Sequence, residues 1–216
     1  MAWMYLLDFP DPESADEDGL VGVGGSLHVE NLIKAYSMGI YPWTADPVSW
    51  WSPDPRAIIE VGQLHVGRSL RRFIKRHIFE ISFNRDFDSV IRQCSIDRPE
   101  GTWIEPSIRD AYIELHREGV AHSVEIWDKG ELVGGLYGVA INGLFAGESM
   151  FSRKSNASKL ALFALMDKLV QSGFKLFDIQ MLTPVTEAMG GVEISRTEYL
   201  SRLRSAMEVS CRFEFK

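Results

Sequence analysis

The run Gly143-Leu-Phe-Ala-Gly-Glu148-Ser-Met-Phe-Ser-Arg153-Lys-Ser-Asn156-Ala-Ser-Lys159 decides how the surrounding chain folds. It begins as an apolar strand, carries one acid in its middle, and ends in a polar loop. Ser155 or Asn156 there can cap a helix that runs to Gln171, with Gly173 as its stop. An isolated carboxylate in an apolar strand costs roughly 2–7 kcal/mol on transfer scales unless something satisfies it. Glu148 therefore needs a buried partner, a solvent cleft or a substrate. A second apolar strand, Phe174 to Met181, carries Asp178 and Gln180 two residues apart, and alternation directs both to one face. Three polar groups on two strands form the candidate chemical centre.

Outward from this run, the strands His122 to Trp127 and Leu132 to Ile141 precede Leu144 to Ser152. Hairpin signals at Asp128-Lys-Gly130 and Asn142-Gly143 join the three. A short strand, Phe79 to Phe83, and helices over Phe87 to Cys94 and Ser107 to Arg117 come before them, with a turn from Arg98 that delivers Trp103. A short helix Thr186 to Met189, a strand Val192 to Ser195 and a helix from Glu198 to about Met207 close the chain. The pattern is α+β, and its order is similar to the acetyltransferase-like (GNAT) core, in which a ligand sits between the fourth and fifth strands. Here those are the strands of Glu148 and Asp178.

Residues 1–56 are rich in proline, glycine and tryptophan and hold one helix, Val29 to Met38, stopped by Gly39. With Pro53 and Pro55 as a boundary, they read as a small N-terminal α/β domain packed on a GNAT-like domain at 57–216, a mixed sheet flanked by helices. The glycines Gly22, Gly24 and Gly25 form a tight turn, because Leu27 stands where a dinucleotide loop has its third glycine.

Of 30 acids, seven (Asp8, Asp11, Glu13, Asp16, Glu17, Asp18, Glu30) precede the first base, Lys34; the remainder of this chain of net charge −7 is neutral. A basic patch can therefore exist locally. Arg68, Arg71, Arg72, Lys75 and Arg76 recur at helical spacing opposite Val66, Leu70, Phe73 and Ile74, with no acid nearby. That face is suited to phosphates. The two cysteines, Cys94 and Cys211, and the five histidines show no metal-ligand spacing, so unpaired thiols in a reducing compartment and no metal are expected. No basic-then-apolar leader opens the sequence, and the longest uncharged run, Leu132 to Gly147, is too short to span a bilayer. A cytoplasmic protein without a membrane partner is expected.

An acetyltransferase of the GNAT fold holds the pyrophosphate of coenzyme A on a glycine-bearing loop that opens the helix after the fourth strand. The equivalent run here, Arg153-Lys-Ser-Asn156-Ala-Ser158, has no glycine. A coenzyme A-dependent N-acetyltransferase remains the alternative, but another acyl carrier is favoured.

Seven fragments carry a closer resemblance: Gly39-Ile-Tyr-Pro-Trp43, Trp50-Trp-Ser-Pro-Asp-Pro-Arg56, Gly101-Thr-Trp-Ile104, His122-Ser-Val-Glu125, Leu132-Val-Gly-Gly-Leu-Tyr-Gly138, Gly147-Glu-Ser-Met-Phe-Ser-Arg153 and Ala157-Ser-Lys159. In order and nearly in register from Phe9 to about Leu203, they resemble the leucyl/phenylalanyl-tRNA–protein transferases. The resemblance implies transfer of Leu or Phe, with Met also conceivable, from aminoacyl-tRNA to the α-amine of a protein beginning with Arg or Lys. The product would enter the bacterial N-end rule degradation pathway, and no metal or organic cofactor is implied. Trp43 and Trp103 are then the aromatics that stack on the terminal adenosine, while Trp50 and Trp51 are structural. Leu136, Phe145, Met150, Leu162, Leu165 and Leu169 match the family's aminoacyl pocket, although each helix leucine could equally be plain core.

By the same resemblance Asp178 polarises Gln180, and the Gln180 carbonyl oxygen orients the attacking amine. Glu148 is the candidate for the cationic Arg or Lys of the acceptor; its alternative is a structural ion pair with Arg153 or Lys159. Alternation puts Phe145 opposite Glu148, so a bulge is required if both line the site. Two departures limit the carry-over: Val185-Thr-Glu-Ala-Met-Gly-Gly191 lacks the histidine the family often has after this strand, and Gly67 replaces a common serine.

Overall fold

In the computed structural model, which describes residues 6–96 and 101–213, two tight turns fold three long strands into an antiparallel meander. They are β6 (Ala121–Asp128), β7 (Glu131–Ile141) and β8 (Leu144–Ser152). The turns follow local chemistry: Lys129 and Gly130 both take positive φ, and Asn142 sits at 51°, a left-handed conformation asparagine tolerates.

The seven-stranded sheet has the order β10-β4-β9-β8-β7-β6-β5, with β4 at Arg56–Ile59, β5 at Glu80–Phe83, β9 at Leu176–Gln180 and β10 at Gly191–Ile194. Only β8 and β9 run parallel among its pairs. A parallel neighbour needs a crossover, and α5 (Ala157–Ser172) supplies it. The helix buries Leu160, Leu162, Leu165, Met166 and Leu169 against Val124, Ile126, Leu136, Phe145 and Phe177 of the sheet. Each such side chain contributes about 1.5–3 kcal/mol through burial. Gly134 permits the close approach, since a Cβ there would lie 2.5 Å from that of Ala157.

The opposite face is covered by α1 (Val29–Ser37), α3 (Phe87–Ser95) and α4 (Pro106–Arg117), together with a three-stranded sheet. That sheet has the order β1-β3-β2, formed by Leu20–Val23, Val48–Trp51 and Tyr41–Ala45. The helix α7 (Arg196–Met207) packs Tyr199, Leu200 and Leu203 on Ile58, Leu144 and Leu176. Meander, helix and fifth strand thus occur in the order expected of a GNAT-like core, followed by α6 (Pro184–Ala188), β10 and α7.

The four strands β1 to β4 have no counterpart in the sequence reading. Each has four or five residues, too short for periodicity to register, and β2 and β3 contain Pro42, Trp43, Trp50 and Trp51. The basic helix α2 is also shorter than the pattern suggests, Arg68–Ile74, with Lys75 at its C-cap. Asn156 occupies the N-cap of α5 at φ 66° but its side chain makes no capping bond; Ser152 Oγ accepts the Ser158 N–H at 3.2 Å instead. The turn read from Arg98 to Glu100 lies outside the described residues.

Candidate active site

Two strand irregularities open a cleft. β8 and β9 pair only at Leu144↔Leu176, Phe145↔Phe177 and Ala146↔Asp178, and beyond those residues the two strands are no longer joined. On the other side of β8, Gly138 pairs with Gly147 and Tyr137 with Ser149, so Glu148 is the extra residue of a bulge. A comparable shift sets Ile179 outside the β4–β9 register. Between the separated strands lies a cavity of about 640 Å³. Leu136, Met150, Leu162 and Leu165 form its apolar side, Trp43 and Trp103 its aromatic side, and Glu148 and Gln180 stand between the strands.

Asp178 is fully buried and saturated with donors. Arg56 Nε donates to Oδ1 at 2.9 Å and Nη2 to Oδ2 at 2.6 Å; the Tyr199 hydroxyl adds a bond of 2.8 Å to Oδ2. The backbone N–H of Gln180 donates to Oδ1 at 2.9 Å. Burial disfavours the Arg56 charge, yet Asp178, aided by Tyr199 and Tyr41, outweighs this and holds the guanidinium above its usual pKa. Arg56 also donates to the Gly39 carbonyl at 3.1 Å and lies between the Tyr41 and Tyr199 rings. Gln180 adopts φ 54°, uncommon for a residue with a Cβ. The Asp178 carboxylate therefore holds the Gln180 backbone in place; it does not touch the Gln180 carboxamide, as the polarising role expected for it requires.

The Gln180 side chain turns to Glu148, donating from Nε2 to Oε1 at 2.9 Å. Tyr112 donates to Glu148 Oε2 at 3.1 Å and is itself hydrogen-bonded to Tyr36. Neither Arg153 nor Lys159 pairs with Glu148 among the described residues. Burial pushes the Glu148 carboxyl up to about 7; the hydrogen-bonded pair Tyr36 and Tyr112 opposes the rise, the Asp178 charge adds to it and Arg56 opposes it.

Of the expected pocket residues, Leu136, Met150, Leu162 and Leu165 line the cavity. Phe145 and Leu169 lie in the core on the α5 side rather than on the cavity wall, Phe145 with its ring centroid 5.9 Å from that of Phe177. The bulge does not bring Phe145 beside Glu148. It reverses the alternation, so that Met150, five residues on, packs on the same side of the sheet as Phe145. Trp43 and Trp103 stand 6.5 Å apart at 31°, both partly exposed, whereas Trp50 is buried against Phe9. Arg68, Arg71, Arg72, Lys75 and Arg76 are all exposed and make no ion pair among the described residues. Arg68, Arg71, Arg72 and Lys75 border a shallow surface hollow.

Arg56, Tyr36, Tyr112 and Tyr199 were not singled out as site residues from the sequence. A guanidinium that opens the apolar strand Ala57-Ile-Ile59 carries the same desolvation signal that drew attention to Glu148, so Arg56 was findable. The tyrosines were not, since a tyrosine on the apolar side of a helix looks like any core aromatic. Among the described residues no group of three or more His, Cys, Asp or Glu is placed to hold a metal, and no helix is long and apolar enough to cross a membrane.

Comparison with known proteins adds an independent line. The family model for the leucyl/phenylalanyl-tRNA protein transferase matches residues 58–204, and the model for that family's N-terminal domain matches 25–54. A leucyl/phenylalanyl-tRNA–protein transferase of Pseudomonas fluorescens is 49% identical over 213 residues, covering 94% of each chain. One from Pectobacterium atrosepticum is 47% identical over 94% of this chain and 89% of its own length. A GCN5-related N-acetyltransferase structure from Kribbella flavida, 12% identical, superposes with a TM-score of 0.43 over 74% of this chain and 58% of its own. The long, nearly full-length matches decide the matter: this chain belongs to the leucyl/phenylalanyl-tRNA–protein transferase family.

Proposed function

We propose that the cleft between β8 and β9 joins the α-amine of a protein beginning with Arg or Lys to a Leu or Phe residue carried on tRNA. The observation that carries this reading is the pairing of an apolar pocket with a carboxylate that makes no ion pair among the described residues. Leu136, Met150, Leu162 and Leu165 offer a neutral side-chain pocket, and Glu148 stands at its edge, hydrogen-bonded among the described residues to Tyr112 and Gln180. A neutral aminoacyl group fits the first, and the cationic side chain of the acceptor fits the second.

In this reading Trp43 and Trp103 stack on the terminal adenosine, each stacked base being worth about 1–3 kcal/mol. The exposed bases of α2, Arg68, Arg71, Arg72, Lys75 and Arg76, meet phosphates farther along the tRNA. The amine has a pKa of roughly 7.7–8 and must be deprotonated before it attacks. Its nitrogen then bonds to the ester carbonyl carbon while the bond to the ribose oxygen breaks, and the released hydroxyl takes a proton. Gln180 positions the amine through its carbonyl oxygen, and Asp178 acts by fixing the Gln180 backbone. Since the ester is already activated, positioning supplies much of the rate. The modified protein carries a new N-terminal Leu or Phe, the signal of the N-end rule pathway, which places the reaction in the cytoplasm. We also read residues 1–56 and 57–216 as separate domains, a division close to the boundary between the two family-model matches.

The test is transfer of labelled Phe or Leu from charged tRNA to an Arg-initiated peptide. Expected is transfer that ribonuclease abolishes and that falls when Arg68, Arg72 and Arg76 are reversed to Glu. Acetylation of the same peptide from acetyl-coenzyme A, with no transfer from charged tRNA, would overturn the reading.

A further inference from the structure

The hydrogen bonds around Glu148 run in one direction. Tyr112 spends its single hydroxyl proton on Glu148 Oε2 at 3.1 Å, so in the contact between the two tyrosines Tyr36 is the donor. Glu148 Oε1 accepts from Gln180 Nε2 at 2.9 Å. The chain therefore reads Tyr36 to Tyr112 to Glu148, with Gln180 donating from the far side. A carboxylate has no proton to give, so it can face only the nitrogen of a carboxamide. While Glu148 accepts, the Gln180 amide is held with its oxygen turned away from Glu148.

We propose that Tyr112, backed by Tyr36, is a positioning residue that sets which end of the Gln180 carboxamide meets the amine, by keeping Glu148 in its hydrogen-bond-accepting form. The proposal rests on the transfer reaction above and names residues that act on it without touching substrate. Its logic is one of inversion. A protonated Glu148 can donate to the amide oxygen, and the amide then turns over to present its N–H groups to the amine. Those groups cannot accept a hydrogen bond from an attacking nitrogen. The groups facing Glu148 are Tyr36 on α1, Tyr41 on β2, Arg56 on β4, Tyr112 on α4, and Asp178 and Gln180 on β9. Of these Tyr112 stabilises the accepting form by a direct hydrogen bond, and Tyr36 supports it by donating to Tyr112.

The experiment follows the pH dependence of kcat/KM for transfer to an Arg-initiated peptide in wild type, Tyr112→Phe and Tyr36→Phe, alongside ¹³C NMR titration of the Glu148 carboxyl. Removing a hydrogen bond to a charged group moves the titration by about one pH unit or more. In Tyr112→Phe the acidic limb should move up by that amount. A loss of about tenfold near pH 6.5 should then shrink to about twofold near pH 8 and be nearly gone by pH 9. KM for charged tRNA should stay unchanged, because Tyr112 does not line the cavity. Tyr36→Phe should shift the limb the same way by less, and decides the matter by the same criterion if Tyr112→Phe fails to fold. A pH-independent loss, or a limb and carboxyl titration that stay in place, overturns the proposal. Absence of transfer by the wild-type protein would instead count against the reaction, and the NMR titration still reports on the tyrosine chain in that event.

Discussion

Asp178 takes two bonds from Arg56, one from Tyr199 and one from the Gln180 backbone, with nothing left over for solvent. Glu148, on the strand beside it, has a tyrosine and an amide as donors, no ion-pair partner among the described residues, and one side open to the cleft. The two carboxylates bracket Gln180, one holding its backbone and the other its side chain. The contrast teaches a division of labour. A buried acid that is fully paired fixes geometry and has no capacity left for a ligand. An acid supplied with neutral donors only keeps its attraction for a cation and stays able to titrate near neutral pH.

The largest effect that tests this contrast comes from breaking the closed pair. Asp178→Asn leaves the Arg56 charge buried without its partner, and loss of one partner of a buried pair costs about 3–5 kcal/mol. Urea unfolding should show this loss, while Glu148→Gln at the same pH should cost far less; equal losses would erase the distinction. A smaller effect is expected from Tyr199→Phe, which removes one hydrogen bond to the Asp178 carboxylate, worth about 1.5–3 kcal/mol. Its kcat should fall through loosened placement of Gln180, with the acidic limb of the pH profile unmoved, unlike that of Tyr112→Phe.

The remaining test is a stability difference that depends on pH. The Glu148 carboxyl titrates at about 7 in the fold, above its ordinary range. A raised folded-state value means that the ionised form is disfavoured by folding, so stability is lost as pH rises from the unfolded value toward 7. Thermal melts of Glu148→Gln should therefore gain on wild type between about pH 4.5 and 7 and hold a constant margin above that. A margin that narrows with rising pH would place Glu148 among the paired acids.

What could be read from the sequence follows the strength of local signals. β6 to β8 and α5 are long, periodic and punctuated by glycine and asparagine, and they stand where the pattern put them. The desolvation cost of Glu148 correctly marked the wall of a cleft. The identity of its partners was out of reach, because Tyr36 and Tyr112 come from helices distant in the chain and carry no pattern that separates them from core. Arg56 is a different case: the charge at the head of the apolar run Ala57-Ile-Ile59 carries that same desolvation signal, but its strand has only four residues, too few for periodicity to mark it. Phe145 and Leu169 show the limit of transferring a pocket residue by residue, since both are apolar and near the site yet face the core.

The bulge at Glu148 divides β8 into two halves of opposite parity. Up to Gly147 the odd-numbered positions face α5, and from Ser149 onward the even-numbered ones do. The strand can therefore serve two masters: Phe145 belongs to the core and Met150 to the pocket, although both point the same way. The acid at the joint is the frameshift that separates the two halves, turning Met150 toward the pocket while Phe151 stays in the core with Ala146.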